Sequence, residues 1–274
     1  MNTHLFQIKC LTNLHVGSGD TNYNIIDLEV ERDPILGEPT IHASGVKGAL
    51  RDHCEEAWNT NKKDDDPRIT KIFGSRPGGE HPGSYKFFSA SMIARPLRVS
   101  EGDRSFVLVS TSETIETFVD FLDGIRSKAF DTQAILTELS YIKKCCGLKK
   151  KNFAVSEGGV SEIEGIEAMT ISNQMPEMTK LIGNEMFALT DSLVEFDLPV
   201  LAHNFLNDNG ISEHLWYEEI VPHKSVFYFA VLEPNGNGNY FSDFKMALED
   251  TAVQFGGNAS TGYGYATVKE IGNV

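Results

Sequence analysis

The sequence predicts an α+β fold of the split-βαβ, ferredoxin-like type. Strand-like and helix-like segments are interleaved along the 274 residues, without the regular alternation of a parallel βαβ protein. Apolar residues make up 41% of the chain and charged residues 23%, which are ordinary values for a globular protein with a hydrophobic core. We therefore expect one domain over residues 1–274.

The N-terminal third predicts two strands, a helix and a loop. Residues 4–12 are apolar and β-prone, and residues 25–31 alternate apolar and acidic side chains, as a strand with one buried face does. Residues 44–58 carry an apolar side chain at every fourth position, which is typical of an amphipathic helix, and Ser44 is the expected N-cap. The polar, Gly- and Pro-rich stretch 59–84 predicts a long mobile loop.

The rest of the chain predicts helices first and strands later. Amphipathic patterns at 113–128 and 131–142 indicate an inserted helical region that covers 113–150. Residues 152–190 have no strong periodicity, and we interpret them as an inserted hairpin or an extended arm. The remaining elements are a strand, a helix and a final strand, at 225–232, 242–254 and 265–271.

Composition argues against several functional classes. The chain has 24 basic and 39 acidic residues, and the net charge of −15 argues against non-specific binding to nucleic acid or to an anionic membrane. Four cysteines without a C-x-x-C pair argue against a disulfide framework and against a zinc ribbon. The N-terminus lacks a signal-peptide pattern, and no apolar run approaches the roughly 20 residues of a membrane span. We expect a soluble protein of the cytoplasm with no membrane partner.

Acidic side chains on segment 25–31 are the first candidates for chemistry. Asp27, Glu29 and Glu31 would share one face of a strand. Carboxylates bind hard divalent ions, and a carboxylate can accept the proton of an attacking hydroxyl. The same pattern also fits the solvent face of an edge strand, and the spacing does not choose among the three acids.

Two groups of cations suggest contacts with phosphate. Lys47 and Arg51 lie one turn apart on a helix that opens with Ser44 and Gly45, where free N–H groups favour an anion. An ordinary solvated face with an Arg51–Glu55 pair explains this stripe equally well. The run KKCCGLKKK, which contains Lys149 and Lys150, is the second candidate, and a solvated loop after a helix is its alternative.

A glycine-rich segment near the C-terminus could bring the backbone close to a ligand. The segment FGGNASTGYGYA supplies the candidates Gly256, Gly257, Thr261 and Gly262, together with tyrosines that can stack on bases. A tight turn between a helix and the last strand is the alternative. His15, at the end of the first strand, is by itself more typical of a hydrogen-bonded structural histidine than of a catalyst.

Taken together, these segments resemble the RAMP (repeat-associated mysterious protein) superfamily. The motifs of the family occur here in their usual order, as LHVGSGD, VERDPILGEPTIHASGVKGALR, IFGS, LWYEEIVP and QFGGNASTGYGYA. Within the superfamily the sequence is most similar to the repeated backbone subunit of the Cmr, or type III-B, CRISPR RNA-guided effector. The likeness extends from about residue 5 to residue 270.

The resemblance implies a fold and a set of partners. The fold would be a modified RNA-recognition-motif palm with an inserted helical region and a protruding thumb hairpin, for which 152–190 is our candidate. Copies of the chain would stack into a helical filament on a guide RNA, beside other Cmr-type subunits, and bind target RNA. Ser44, Gly45, Lys47 and Arg51 would hold the guide backbone.

The resemblance also implies an endoribonuclease that acts within the complex. Asp27 would be the essential acid and the ligand of a divalent metal, Mg²⁺ or Mn²⁺, while His15, Tyr217, Glu218 and Glu219 would support it. Target RNA would be cut at regular intervals by attack of a 2′-OH on the next phosphate. Two alternatives are a filament subunit that protects guide RNA without cutting, and a nuclease that processes precursor guide RNA.

Overall fold

The computed structural model describes residues 1–19, 25–60, 66–76, 79, 81–148, 152–171, 176–183, 187–193, 197–235 and 240–272. In these ranges the strands are β1 (Asn2–Cys10), β2 (Thr40–Ile41), β3 (Lys86–Phe87), β4 (Ala90–Gly102), β5 (Phe106–Thr111), β6 (Phe153–Val155), β7 (Val160–Ile163), β8 (Ile166–Thr170), β9 (Phe187–Thr190), β10 (Val200–Leu206), β11 (Ser212–Glu219), β12 (Val226–Glu233), β13 (Val253–Gln254) and β14 (Tyr265–Glu270). The helices are α1 (Ala43–Ala57), α2 (Pro67–Phe73), α3 (Ser112–Gly124), α4 (Thr132–Cys146), α5 (Pro176–Ile182) and α6 (Tyr240–Leu248), with a 3₁₀ turn at Ala259–Thr261.

One sheet contains most of the strands. Its order is β13-β14-β1-β12-β4-β5-β9-β6-β8-β7, with β2 beside β4 and β3 beside β12. The strands β14, β1, β12 and β4 form an antiparallel group within it. Alternate residues of β1 point to opposite faces, so that Phe6 and Ile8 join one apolar cluster and Leu5 joins the other.

Helices cover both faces of this antiparallel group. On one face α1 contributes Val46 and Leu50, and α6 contributes Phe244, to the cluster that contains Phe6. On the other face α3, α4 and α5 pack around Phe118. No helix of the described ranges has the length and apolar character needed to cross a membrane.

Segment 152–190 contains a hairpin, β7–β8, as one of the two predicted forms, but its strands belong to the main sheet rather than to a separate arm. It supplies β6, β7, β8, α5 and β9, and its strands pair with β4 and β5 of the main sheet. The strands pair in the order β4, β5, β9, β6, β8 and β7, and β7 pairs with β4 again. The six strands therefore form a closed ring around Phe153, Val155 and Ile163. The strands β6 and β9 are short and buried along their whole length, so they lack the alternation by which a half-buried strand is recognised.

The hairpin that stands apart from the main sheet is β10–β11. Among the described residues its two strands form a separate two-stranded sheet, and a single bridge joins Glu218 of β11 to Leu28. Several of its apolar side chains are exposed: Phe205, Leu206, Ile211 and Leu215. Its last two residues, Glu218 and Glu219, are in contrast buried, so the base of the hairpin is anchored in the body of the protein.

Helix α1 begins one residue earlier than predicted, and Ser44 is not its N-cap. The N-cap is His42, whose carbonyl accepts the N–H of Val46 at 2.9 Å. The N–H of Ala43 donates instead to Ser89 Oγ at 3.1 Å, so a distant serine provides the partner that a local cap would supply. Ser44 lies exposed in the first turn.

The predicted loop 59–84 contains the short helix α2. Asp66 caps this helix, because its carboxylate accepts the N–H of Arg68 at 2.8 Å, and Pro67 occupies the first turn. Residues 61–65, 77–78 and 80 of the segment lie outside the described ranges. Helices α3 and α4 fall within or at the edge of the predicted helical region 113–150.

Candidate functional site

Asp27 is held against the last residues of β11 by the backbone of Tyr217. The N–H of Asp27 donates to the Tyr217 carbonyl at 3.1 Å, and the Tyr217 N–H donates to Asp27 Oδ2 at 2.8 Å. The Asp27 residue is exposed, and its Oδ1 has no hydrogen-bond partner among the described residues. The carboxylate is therefore fixed in place with one oxygen open to a ligand.

Segment 25–31 is not the regular strand that its alternation predicts. It forms single bridges to two different partners, from Leu28 to Glu218 and from Val30 to Gly17. Val30 is buried, but Leu28 is 39% exposed, so the apolar side chains do not share one buried face. The segment passes between the end of β11 and the loop at Gly17, and this position brings Asp27 beside Tyr217.

Glu219 holds segment 25–31 in place through both its side chain and its backbone. Its Oε2 accepts the N–H of Val30 at 3.1 Å, and its N–H donates to the Leu28 carbonyl at 2.9 Å. Its Oε1 accepts a hydrogen bond from the Arg32 guanidinium, which also donates to the Gly37 carbonyl at 2.8 Å. The buried carboxylate of Glu219 thus supports the backbone that carries Asp27.

Glu218 points to a different set of partners, although both of these adjacent carboxylates are buried. Its side chain is 2% exposed, and its Oε1 accepts the side-chain amide of Asn258 at 2.7 Å. His15 Nδ1 lies 3.4 Å from the same oxygen and 2.8 Å from the Glu219 carbonyl. His203 Nε2 lies 2.9 Å from Oε2. Glu218 therefore joins a loop, the hairpin and the glycine-rich segment.

The glycine-rich segment packs directly on the loop of His15. The N–H of Gly257 donates to the His15 carbonyl at 2.9 Å. Gly256 has φ +74°, and a Cβ there would lie 2.2 Å from the same carbonyl oxygen, so a side chain is excluded by contact as well as by conformation. Burial, and secondly the charge of Glu218, raise the pKa of Tyr263 in this segment.

We call His15, Asp27, Tyr217, Glu218 and Glu219 the Asp27 site.

Lys47 and Arg51, which we call the α1 cationic face, have different environments. Arg51 Nε donates to Glu55 Oε1 at 2.8 Å, and its terminal nitrogen donates to the Gly74 carbonyl at 3.0 Å. Lys47 is partly exposed, and burial together with the charges of Arg51 and Lys86 lowers its pKa. The structure therefore places Arg51 in an internal network and leaves Lys47 accessible.

A groove of about 580 Å³ brings two of the predicted RNA-binding groups together. It is lined by Gly45 from the first turn of α1 and by Gly256 from the glycine-rich segment, with Gln254 and Tyr265 between them. Acidic residues of α1, among them Asp52 and Glu56, also line it. The walls of the groove are therefore polar and largely anionic.

Two other predicted RNA contacts, Thr261 and Gly262, do not line this groove. Thr261 and Gly262 are exposed in and after the 3₁₀ turn, where Thr261 Oγ1 donates to the Asn258 carbonyl at 2.9 Å. Lys149 and Lys150 lie outside the described residues.

The part of the chain that the structure describes contains no group of three or more His, Cys, Asp or Glu side chains able to hold a metal ion. Glu218 and Glu219 are engaged with protein partners, which leaves Asp27 Oδ1 as the accessible carboxylate oxygen of the Asp27 site. Mg²⁺ commonly binds through one or two carboxylates together with phosphate oxygens and water. Asp27 fits the protein share of such a site, with the other ligands supplied by RNA and solvent.

The family is decided by a match to the model of the RAMP superfamily over residues 7–267. The chain belongs to the RAMP superfamily. Relatives of this RAMP chain include the CRISPR system Cmr endoribonuclease Cmr4 of Pyrococcus furiosus, which is 27% identical in an alignment that covers all of this chain and 98% of the relative.

Solved structures resemble this RAMP chain over nearly its whole length. A chain of the type III-B Cmr-beta complex bound to cognate target RNA matches with a TM-score of 0.81 at 21% identity, covering 98% of this chain and 97% of the other. Oligomeric Cmr4 from Pyrococcus furiosus matches with a TM-score of 0.67 at 20% identity, covering 100% and 99%. The α+β class expected from the sequence is confirmed.

Sequence reasoning missed three residues that contact the carboxylates of this RAMP chain: Arg32, Asn258 and His203. Arg32 and Asn258 lie inside motifs that carry the family resemblance, but each contacts a carboxylate at least 40 residues away in the chain. His203 lies in no motif, and nothing in the local pattern around it indicates a buried partner.

Proposed function

We propose that this chain is the repeated backbone subunit of a type III-B CRISPR effector, and that it cleaves target RNA at Asp27. The observation that carries the proposal is the exposed Asp27 carboxylate, fixed by Tyr217 beside the buried His15–Glu218 contact. The name of the full-length relative, Cmr endoribonuclease, supports the reaction class. The resemblance of the first motifs to the family supports the choice of Asp27.

The proposed partners are guide RNA, target RNA, further copies of this chain and other Cmr-type subunits. The similarity to a Cmr-beta complex with target RNA and to an oligomeric Cmr4 supports this set. Such an effector would act on transcripts in the cytoplasm. The net charge of −15 fits a chain that binds RNA through a local surface, completed by its neighbours, rather than through bulk charge.

We propose a palm and a thumb within the fold. Strand order β14-β1-β12-β4, with α1 after β1 and α6 after β12, is the arrangement of a β-α-β-β-α-β unit, which supports a ferredoxin-like palm. The β10–β11 hairpin fits the role of the thumb better than 152–190, because it forms a separate two-stranded sheet and exposes apolar side chains. Apolar side chains of that kind can separate stacked bases.

The proposed reaction is an in-line transfer at phosphorus. A splayed base frees the neighbouring 2′-OH, whose oxygen bonds to phosphorus while the bond from phosphorus to the 5′-oxygen breaks. The 2′-OH proton passes to Asp27 or to water, and the departing 5′-oxygen takes a proton from solvent. The products are a 2′,3′-cyclic phosphate and a 5′-hydroxyl. Mg²⁺ or Mn²⁺, held by Asp27 and phosphate oxygens, would stabilise the developing negative charge.

The remaining groups of the site would position Asp27. The Tyr217 N–H orients its carboxylate, and Glu219 holds the backbone of Leu28 and Val30 beside it. Asp27 therefore lies against the end of β11, which forms the base of the thumb hairpin. A thumb that distorts the bound RNA would place the distorted linkage next to Asp27.

The test is cleavage of labelled target RNA by the complex reconstituted with guide RNA. Asp27→Asn keeps the acceptor for the Tyr217 N–H but removes the charge. We expect it to slow cleavage about 10³-fold, as the loss of a general base does, with unchanged target affinity. Glu29→Gln and Glu31→Gln are matched controls on the same segment and should cleave as the parent does.

Three outcomes would contradict the proposal. Equal cleavage by Asp27→Asn and parent complexes would remove Asp27 from the reaction. A parent complex that binds guide and target but cuts neither with Mg²⁺ nor with Mn²⁺ would instead support the guide-protecting subunit. Cleavage of precursor guide RNA by the isolated chain would support the processing nuclease.

A further inference from the structure

The hairpin contributes a polar side chain to the base of the Asp27 site. His203 of β10 lies opposite Trp216 of β11, and their rings stack with centroids 5.3 Å apart and planes 14° apart. This stacking fixes the orientation of the imidazole. Its Nε2 is shielded from solvent and lies 2.9 Å from Glu218 Oε2, out of line for a hydrogen bond.

Glu218 needs such a partner because it is buried. Its Oε1 accepts the Asn258 amide, with His15 Nδ1 at 3.4 Å. At Oε2, His203 is the polar neighbour among the described residues. A buried carboxylate oxygen without a polar or charged neighbour is strongly disfavoured, so loss of His203 would drive Glu218 to move.

Movement of Glu218 would be transmitted to Asp27 over one residue of backbone. Tyr217 precedes Glu218 in β11, and its N–H and carbonyl hold the carboxylate and the N–H of Asp27. The backbone of Glu218 also bridges to Leu28. The contact between His203 and Glu218 is therefore linked to the placement of Asp27 without touching it.

We propose that His203 is a positioning residue of the Asp27 site, which holds Glu218 and thereby keeps the β10–β11 hairpin and Asp27 in one fixed geometry. The inference rests on the proposed cleavage function. It assigns to the hairpin a part in the cleavage step that is separate from any contact with the RNA.

The experiment is a double-mutant cycle in the reconstituted complex, with His203→Ala, Glu218→Gln and the double variant. At saturating target, we expect His203→Ala to lower the single-turnover cleavage rate at least about tenfold, since small displacements of a reacting group are costly, and to leave target affinity within about twofold. Because Glu218→Gln removes the buried charge, adding His203→Ala to it should lower the cleavage rate little further. His223→Ala, exposed in the turn between β11 and β12 and outside the proposed site and thumb, is the matched control and should cleave as the parent does.

The outcomes separate this inference from the proposed function. If Asp27→Asn stops cleavage but His203→Ala cleaves as the parent does, the positioning role is wrong and the function stands. The role is also wrong if the effects of His203→Ala and Glu218→Gln multiply, or if His203→Ala changes only target affinity. If Asp27→Asn itself cleaves normally, the function and the inference fall together.

Discussion

The Asp27 site and the α1 cationic face both bring charged side chains to a surface, but they use burial in opposite ways. In the Asp27 site the proposed reactive group is exposed, and the buried groups, Glu218 and Glu219, hold the backbone around it. On the α1 cationic face, Arg51 is itself part of the support: its side chain is 14% exposed and paired with a fully buried Glu55.

This difference shows which side chains are informative to mutate. A charge that the fold does not need can be removed with an effect on function alone, as we expect for Asp27 and Lys47. A charge that compensates a buried partner cannot, because its removal takes a countercharge away from that partner. Loss of RNA binding in an Arg51 variant would therefore not show that Arg51 touches RNA.

The largest expected difference between the two regions is in stability. Arg51→Ala removes one of the two guanidinium partners of Glu55, the other being Arg76 at 2.5 Å, and also the bond to the Gly74 carbonyl. Breaking a buried ion pair from one side costs about 3 kcal/mol or more. We expect that loss in the free energy of unfolding, measured by urea denaturation of the isolated chain.

The matched comparison is Asp27→Ala, which removes an exposed carboxylate. It should change the free energy of unfolding by less than about 1 kcal/mol, since an exposed side chain with one hydrogen bond contributes little. If Asp27→Ala were as destabilising as Arg51→Ala, the distinction between an expendable charge and a supporting charge would be wrong.

The sequence predicted the long elements well and the shortest buried strands poorly. The strand expected at 225–232 is β12, and the helix expected at 44–58 is α1, each displaced by one residue. Both have an apolar pattern that differs clearly from its flanks. The strands β6 and β9 are three and four residues long and buried throughout, so no period is visible in them.

The site was predictable only where a motif carries it. Family resemblance pointed to Asp27, His15, Glu218 and Glu219, and the structure brings these residues together. The directions of the two glutamates were not predictable, because they depend on Val30, Asn258 and other partners that are distant in the chain. The Arg51–Glu55 pair that one of the two interpretations of that helix face included is present, but Glu55 is buried rather than solvated.

The next effect concerns the accessible cation of the α1 cationic face. If Lys47 contacts a guide phosphate, Lys47→Ala should weaken guide binding several-fold at low salt. It should also reduce the slope of log Kd against log salt concentration by about 0.7, the value for one phosphate contact on a single strand. The measurement is a guide-RNA titration at four salt concentrations.

Lys128→Ala provides the control for this titration. Lys128 is exposed and lines a different cavity, beside the N-terminus of β1. Its removal should leave the salt slope unchanged. Equal slopes for Lys47→Ala and the parent would mean that Lys47 faces solvent in the complex, and the α1 cationic face would then be structural throughout.

The smallest expected effect concerns Asp66 at the N-terminus of α2, the helix whose C-cap residue Gly74 accepts a hydrogen bond from Arg51. Hydrogen bonds from the Arg68 side chain lower the pKa of Asp66, the N-cap of α2. A carboxyl group with a lowered pKa in the folded state stabilises the protein above its unfolded pKa of about 3.9, and this contribution is lost as the pH falls through the lower, folded value. Asn caps a helix as well as Asp does, so Asp66→Asn should cost only the ion pair with Arg68, about 0.5 kcal/mol at pH 7, and the difference from the parent should shrink below pH 4. Urea denaturation of both chains between pH 7 and pH 3 measures it, and a difference that is constant over that range would show that the charge of Asp66 plays no part.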